Sequence, residues 1–233
     1  MRHIKISTLL FLSFFLLMVS SCTNKADNQS STSVSKPVRS SEVFKCFPKG
    51  MYDSNSYVLG QNGEGIIIDA GVESNQIIDF IKTENLKIKY IILTHGHIDH
   101  VKEVEKLKDK LSTKILIHKK DADLFKANTS MSPDEFIEDG ETLNIGSLTL
   151  EIIYTPGHSP GSICIKTRDK IFTGDTLFRE SIGRTDFQGG SYEDIISSIK
   201  NKLLKLDDNI EVYPGHDGST TIGYERKNNQ FIQ

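Results

Sequence analysis

Residues 94–100 restrict the fold and the chemistry of this chain more than any other segment. They read Thr-His-Gly-His-Ile-Asp-His and follow the apolar run Tyr-Ile-Ile-Leu at residues 90–93, which predicts a short buried strand. The glycine between two histidines lets the chain turn where that strand ends. Neutral imidazoles and a carboxylate at this spacing suit a borderline metal ion such as zinc. We therefore interpret the segment as part of a metal site.

Three further turns carry a histidine or an aspartate directly after a predicted strand. They lie at residues 155–161, 172–175 and 213–216, and each contains a glycine. One such turn alone is a weak signal, but five of the seven histidines of the chain occupy turns of this kind. The candidate metal ligands are His95, His97, Asp99, His100, His158, Asp175 and His216. His118 ends a predicted strand and is interpreted as structural.

The N-terminal segment has the layout of an export signal. Arg2 and Lys5 precede a nearly unbroken apolar run at residues 9–19, which is too short for a comfortable transmembrane helix. The sequence Val-Ser-Ser-Cys that follows resembles the cleavage site of a bacterial lipoprotein. We expect residues 1–21 to be a signal peptide and Cys22 to be lipidated. An ordinary cleaved signal with an incidental Cys22 is the alternative.

Residues 22–41 and residues 42–233 differ sharply in composition. The first range is polar and lacks aromatic residues, which predicts a flexible tether behind the lipidated cysteine. The first 41 residues hold five Lys or Arg and one Asp, so residues 42–233 hold 23 basic and 30 acidic residues, a net charge of −7. That balance disfavours nucleic acid as a partner. We expect a globular domain over residues 42–233 in an exported, membrane-anchored lipoprotein, either periplasmic or on the cell surface.

The globular range alternates predicted strands and helices. Strands are predicted at residues 43–47, 56–59, 65–69, 90–93, 114–118, 143–154, 162–166, 170–173 and 211–213. Helices are predicted after Ser74 as a cap, over 101–111, over 121–127, and after the capping signature of Ser191 and Asp194. Residues 128–140 are predicted as a polar loop. Two strand series, each followed by a helix, predict an α/β fold with two packed sheets and outer helices.

The two cysteines beyond Cys22 do not suggest a thiolate metal site. Cys46 and Cys164 lie among apolar residues and outside any Cys-x-x-Cys motif. Buried free thiols are the expected state, although a disulfide between them stays open for an exported protein.

The order His-x-His-x-Asp-His, His, Asp, His resembles the metal signature of the metallo-β-lactamase superfamily. Residues 182–186, Gly-Gly at 189–190, and residues 220–223 with Glu225 are similar to the short, single-domain glyoxalase II-like hydrolases. The resemblance extends from about residue 55 to residue 231. It implies an αβ/βα sandwich, in which two mixed β-sheets pack face to face with helices outside and a dinuclear metal site lies at the sheet edge.

The resemblance implies two ligand sets and a bridge. The first metal ion would be held by His95, His97 and His158, the second by Asp99, His100 and His216, and both by Asp175. Two divalent ions are expected as cofactors, with zinc preferred and iron or manganese as alternatives.

Three residues receive further roles from the same resemblance. Asp69 would orient a metal ligand from behind, Arg184 would act either behind the ligands or near the substrate, and Asp99 would orient the attacking nucleophile. The implied reaction is hydrolysis of a small thioester or acyl ester by a metal-bound hydroxide, as in hydroxyacylglutathione hydrolases. Full-length glyoxalase II continues into a helical glutathione-binding domain, whereas this chain stops at Gln233. We therefore expect a substrate other than a glutathione thioester.

Several alternatives to this function stay open. A mononuclear-iron persulfide dioxygenase would share most of the ligands but use oxygen, and a lactonase would use the same centre on a cyclic ester. A true β-lactamase is disfavoured, because antibiotic-hydrolysing members typically lack an aspartate at the position of Asp175. A non-enzymatic binding lipoprotein is disfavoured because all seven ligands are present.

Overall fold

A computed structural model describes residues 42–233 of the chain. The predictions of a signal peptide, of lipidation at Cys22 and of a tether concern residues outside this range. No helix within residues 42–233 is long and apolar enough to cross a membrane.

The first sheet contains six strands in the order β1-β2-β3-β4-β5-β6. Their bounds are β1 Val43–Phe47, β2 Ser56–Gln61, β3 Glu64–Ile68, β4 Lys87–Ile92, β5 Lys114–Ile117 and β6 Glu135–Phe136. The pairs β1–β2 and β2–β3 are antiparallel, whereas β3–β4, β4–β5 and β5–β6 are parallel. The sheet is therefore mixed.

The second half of the chain forms another six-stranded sheet and a small hairpin. The strand bounds are β7 Thr142–Ile145, β8 Leu148–Tyr154, β9 Ile163–Thr167, β10 Lys170–Gly174, β11 Leu177–Phe178, β12 Ser181–Ile182, β13 Glu211–Pro214 and β14 Thr220–Thr221. The sheet order is β14-β13-β10-β9-β8-β7, and β11 pairs with β12 alone. Only β10–β13 is parallel in this sheet, so it is also mixed.

Residues 42–233 contain six α-helices, of which the first five lie between strands and the last follows β14. Their bounds are α1 Ser74–Glu84, α2 Ile98–Val101, α3 Val104–Leu111, α4 Ala122–Thr129, α5 Tyr192–Asn201 and α6 Ile222–Asn228. Short 3-10 turns lie at Met51–Asp53, Lys119–Asp121, Leu203–Lys205 and Gln230–Ile232.

The core has three layers of apolar contact, which follow from the alternation of side chains along the strands. Ile66 and Ile68 of β3 pack between the two sheets, against residues such as Phe172 of β10. Ile67 points the other way and packs with the helices α1 and α3. A third cluster joins the outer face of the second sheet to α5 and α6 through residues such as Ile195. Two sheets packed face to face with helices outside confirm the predicted αβ/βα sandwich.

Two predicted boundaries are wrong for identifiable reasons. Ser74 does not cap α1, because the N-cap is Glu73 without a side-chain hydrogen bond, and the Ser74 N–H donates to the carboxylate of Glu103 at 3.4 Å. The helix predicted over 101–111 is broken at residues 102–103. There the His100 carbonyl accepts from Ala70 N at 2.7 Å, and Glu103 N donates to Ala70 O at 2.8 Å. These bonds to a distant loop replace the helical ones.

Of the other local predictions, some are wrong and some are confirmed. The single strand predicted over 143–154 is a hairpin, β7–β8, which turns at Gly146 with φ of 58°. The loop predicted over 128–140 contains the short strand β6. The cap predicted at Ser191 is confirmed, since its Oγ accepts from Asp194 N. Cys46 and Cys164 are both free thiols, and burial raises the pKa of Cys164 to about 12.

Candidate metal centre

The turn after β4 places four of the candidate ligands at one edge of the first sheet. His95 and His100 are fully buried, whereas His97 and Asp99 are half-buried. Asp99 and His100 lie in the single turn of α2, for which His97 is the N-cap. The dense motif in the sequence is thus folded so that its polar groups converge.

The remaining ligands arrive from the second sheet. His158 follows β8, Asp175 follows β10 and His216 follows β13. Gly174 has φ of 47°, and a Cβ there would lie 2.5 Å from Thr94 Oγ1. A Cβ on Gly215 would lie 2.1 Å from Asp175 Oδ1. Glycine at 174 thus lets the second sheet approach the turn after β4, and glycine at 215 leaves room for the Asp175 side chain.

The seven predicted ligands form groups whose nitrogen and oxygen atoms lie within 4.8 Å of one another. The groups are His95, His97 and His158, then Asp99, His100 and His216, and a linking set of His95, His100 and Asp175. The first two groups are the ligand sets that the resemblance implied.

Asp175 lies between the two sets. Its Oδ1 is 3.3 Å from His100 Nε2, and its Oδ2 is 3.4 Å from His158 Nε2 and 3.5 Å from His216 Nε2. This position fits a carboxylate that bridges two ions.

The ring nitrogens are oriented by groups behind them. His158 Nδ1 donates to the carbonyl of Arg184 at 2.8 Å, and His100 Nδ1 donates to Asp69 Oδ2 at 2.8 Å. In a neutral ring, a proton on Nδ1 leaves the lone pair of Nε2 free for a metal ion. Both Nε2 atoms face the cluster.

Two buried polar atoms test whether the residues fit a metal ion. Within residues 42–233, His95 Nε2 and Asp175 Oδ1 are buried and have no hydrogen-bond partner. Orphaned buried polar atoms are costly in a folded protein. A divalent cation would satisfy both, and imidazole with carboxylate is a suitable donor set.

Burial and neighbouring carboxylates shift the pKa values of four histidines in the cluster in opposite directions. Burial lowers the pKa of His95 and of His97, so both rings are neutral, as metal ligands must be. Burial also lowers the pKa of His216, but hydrogen bonds to Asp175 and Asp99 outweigh it and raise that pKa to about 10. Burial lowers the pKa of His100 in the same way, yet the neighbouring carboxylates hold it well above its usual value. Protons and metal ions therefore compete for these two rings.

Asp69, to which the resemblance gave an orienting role, lies directly behind the ring of His100. It is buried, and its backbone is left-handed with φ of 58°. It accepts from Thr94 N and Thr94 Oγ1 at 2.8 Å each, in addition to His100 Nδ1. One carboxylate thus fixes both the turn that begins the motif and the ring of its last histidine.

Asp121 is a positioning residue that the sequence reasoning missed. It is fully buried and accepts from Gly96 N at 2.9 Å, from Gly161 N at 2.6 Å and from Ser159 Oγ at 2.7 Å. It therefore ties the turn between His95 and His97 to the turn that follows His158. The sequence signal was ambiguous, because an aspartate just before a helix usually caps that helix.

Arg184 and His118 lie outside the ligand cluster. The guanidinium of Arg184 forms two hydrogen bonds with Asp186, at 2.9 Å and 2.8 Å, and lies 4.4 Å above the ring of Phe187. The carbonyl of Arg184, not its charge, contacts His158. His118 stacks on Tyr154 with ring centroids 4.4 Å apart, in agreement with a structural role.

A cavity of about 710 Å³ opens above the cluster. Its lining includes the ligands His97, Asp99, His158, Asp175 and His216. The same cavity also contacts Arg184, so a substrate bound there would meet the candidate ligands directly.

Comparison with known proteins agrees with this geometry. Residues 50–216 match the metallo-beta-lactamase superfamily, and the chain belongs to that superfamily. Its fold binds divalent metal ions, and metallo-hydrolases are among its members.

Individual relatives refine the comparison. The chain is 40% identical over 193 residues to the hydroxyacylglutathione hydrolase GloC of Haemophilus influenzae, covering 76% of this chain and 91% of that protein. The crystal structure of the BLEG-1 B3 metallo-beta-lactamase has a TM-score of 0.77 and 34% identity, over 82% of this chain and all of that one. TTHA1623, crystallised in a di-iron-bound form, has a TM-score of 0.72 and 29% identity, over 80% of this chain and 99% of that one.

Proposed function

We propose that this chain is a hydrolase of small thioesters or related acyl esters that uses two divalent metal ions, preferably zinc. The observation that carries the proposal is the pair of ligand sets joined by Asp175. His95, His97 and His158 would hold one ion, Asp99, His100 and His216 the other, and Asp175 both.

The bound ions would supply a water molecule of lowered pKa and polarise the substrate carbonyl. Asp99 lines the cavity, and its Oδ2 lies 3.2 Å from His216 Nε2 and 3.4 Å from His100 Nε2. Burial raises the pKa of Asp99, but its hydrogen bonds with these two histidines outweigh burial and keep the carboxyl ionised. An ionised Asp99 can accept a hydrogen bond from the attacking water and so orient it. A thiolate leaving group needs little protonation, which suits a centre of ligands alone.

The thioester class is supported by the likeness to GloC, a hydroxyacylglutathione hydrolase. The test is a panel assay of the full chain, loaded separately with zinc, iron and manganese, on thioesters, lactones, cephalosporins and persulfides. Metal-dependent thioester or ester hydrolysis would support the proposal. About one iron per chain with oxygen uptake on a persulfide would instead identify a dioxygenase.

A second candidate function is β-lactam hydrolysis, which the likeness to BLEG-1 favours. The cephalosporin arm of the panel tests it directly. Turnover of a cephalosporin at least as efficient as that of every thioester would replace our proposal with a β-lactamase assignment.

We also propose that the protein is exported and anchored through Cys22, with residues 1–21 as signal peptide, 22–41 as tether and 42–233 as hydrolase domain. The support is the basic start, the apolar run and the cysteine that follows it. Cys22→Ser should move the protein from the membrane fraction to the soluble fraction and abolish labelling by a fatty-acid analogue. Equal fractionation of both forms would contradict the anchor.

A further inference from the structure

The cavity above the metal centre has a polar floor and an apolar wall. The candidate ligands form the floor. The wall is mostly apolar, with the side chains of Tyr52, Ile98, Leu124, Phe178 and Phe187, and its polar members are Asn128, Arg184 and Gln188. A group that reacts at the floor therefore extends along apolar surface.

Two of the wall residues lie directly against ligand rings. The Phe187 ring centroid is 5.0 Å from that of His97 and 5.8 Å from that of His158. Phe178 lies 5.9 Å from His216 in an edge-on arrangement. Phe187 is nevertheless 41% exposed, so a large part of an apolar ring beside the centre faces solvent until something covers it.

Tyr52 is held at the mouth of the cavity by an unusual backbone. Tyr52 and Asp53 both have left-handed conformations, with φ of 52° and 61°. The loop is fixed on both sides, because Met51 N donates to Gly71 O at 3.2 Å and Ser54 Oγ donates to Asp99 O at 2.8 Å. The surrounding structure thus maintains a costly conformation that leaves the Tyr52 side chain 74% exposed beside the site.

The positively charged side chain of the wall already has an ion-pair partner. Among the described residues that line the cavity there is no lysine, and Arg184 is the single arginine. Its guanidinium is held by both oxygens of Asp186 and stacks over Phe187. A carboxylate on the substrate would therefore have to compete with Asp186 for the guanidinium of Arg184 on this wall.

We propose that the natural substrate carries an apolar acyl chain, which packs against Phe187, Leu124 and Tyr52, on a leaving group without net negative charge. This inference rests on the proposed hydrolase function and names its substrate class. Burial of the chain against the wall would stabilise the bound state in proportion to the apolar area covered.

The test is a homologous series of N-acetylcysteamine thioesters, from acetyl to octanoyl, hydrolysed by the zinc-loaded full chain. We expect kcat/KM to rise by up to about 4-fold for each methylene that reaches the wall. Phe187→Ala should reduce the rise in kcat/KM with chain length, because it lowers kcat/KM most for the longest substrates. Phe136→Ala is the matched control, since Phe136 is 55% exposed and does not line the cavity. The octanoyl thioester of glutathione should be a poorer substrate than its uncharged counterpart.

A binding measurement provides a readout besides turnover. Calorimetry with the zinc-loaded protein should show that octanoate binds more tightly than acetate, and that Phe187→Ala removes most of the difference. An active enzyme whose kcat/KM stays constant or falls with chain length would overturn the inference alone. Inactivity on the whole series would refute the proposed function. The calorimetry would still test the inference in that case, because equal affinities for octanoate and acetate would contradict it.

Discussion

The most specific consequence of the site geometry concerns Asp69→Asn, a change of one oxygen to an amide nitrogen. Asp69 Oδ1 accepts from Thr94 N, and Oδ2 accepts from both Thr94 Oγ1 and His100 Nδ1. An asparagine has only one oxygen for these two places. If that oxygen stays with Thr94 N, the amide group donates to His100 Nδ1 and forces the ring proton onto Nε2, the atom that would bind metal.

The opposite amide orientation is also unfavourable. It keeps the oxygen on His100 but points an N–H group at Thr94 N, which is itself a donor 2.8 Å away. This second arrangement loses one buried hydrogen bond, a cost of about 1–3 kcal/mol, whereas the first forces the unfavourable tautomer. Loss of an orienting partner behind a metal ligand typically reduces metal affinity by about 10–100-fold, which corresponds to about 1.4–2.7 kcal/mol. The cost of the lost hydrogen bond and the expected loss of metal-binding free energy are therefore of similar size.

The assay is zinc affinity by competition with a chromophoric chelator, combined with the visible spectrum of the cobalt-substituted protein. We expect Asp69→Asn to lower the affinity for the ion that His100 would bind, and to change the affinity for the ion that His97 and His158 would bind less. Asp79→Asn on the exposed face of α1 makes the same chemical change away from the site and is the control. If Asp69→Asn retains wild-type affinity for both ions, the tautomer argument is refuted.

Three further predictions follow from the charges and hydrogen bonds around the centre. Metal binding should release about two protons per chain at neutral pH, from His100 and His216. The metal affinity should therefore rise by about tenfold per pH unit for each proton, up to the His216 pKa of about 10. Calorimetry in buffers of different ionisation enthalpy measures the number of protons released, and binding without proton release would contradict the prediction. In the metal-free protein the raised pKa of His216 stabilises the fold fully below its ordinary value of 6.5, and this stabilisation is lost as the pH rises through about 10; urea unfolding at several pH values checks the sign. Asp121→Ala leaves the buried N–H groups of Gly96 and Gly161 without an acceptor, whereas Ser159 Oγ keeps Ser162 Oγ as a partner. The change should lower the free energy of unfolding by about 2–6 kcal/mol; Asp123→Ala, on the exposed face of α4, should change it little.

The ligand set was accessible to sequence reasoning because its signals are local. Each of His95, His158 and His216 lies beside a glycine in a turn after an apolar strand, and such turns meet at one sheet edge when the sheets pack. Asp69 received its role only through the family resemblance. The sequence could not separate Asp121 from an ordinary helix cap, since its donors lie 25 and 40 residues away.

The apolar wall and the break between α2 and α3 depend on contacts that no local pattern encodes. Tyr52 lies in a single 3-10 turn and Phe187 in a loop, and neither segment has a periodicity from which burial or a shared cavity can be inferred. The helix break depends on hydrogen bonds from Ala70 to His100 and Glu103, which lie 30 and 33 residues further along the chain and thus outside any helical pattern. Sequence reasoning therefore predicted the chemistry of the floor but not the shape of the cavity.

The central claim, a two-metal centre bridged by Asp175, is tested most directly by the metal content of the full chain after loading with zinc and removal of free ions. The account predicts two zinc ions per chain by elemental analysis, and no more than one in Asp175→Ala, with thioester hydrolysis lost in the variant. A wild-type protein that binds a single ion, or an Asp175→Ala variant that retains both ions and full turnover, would contradict it.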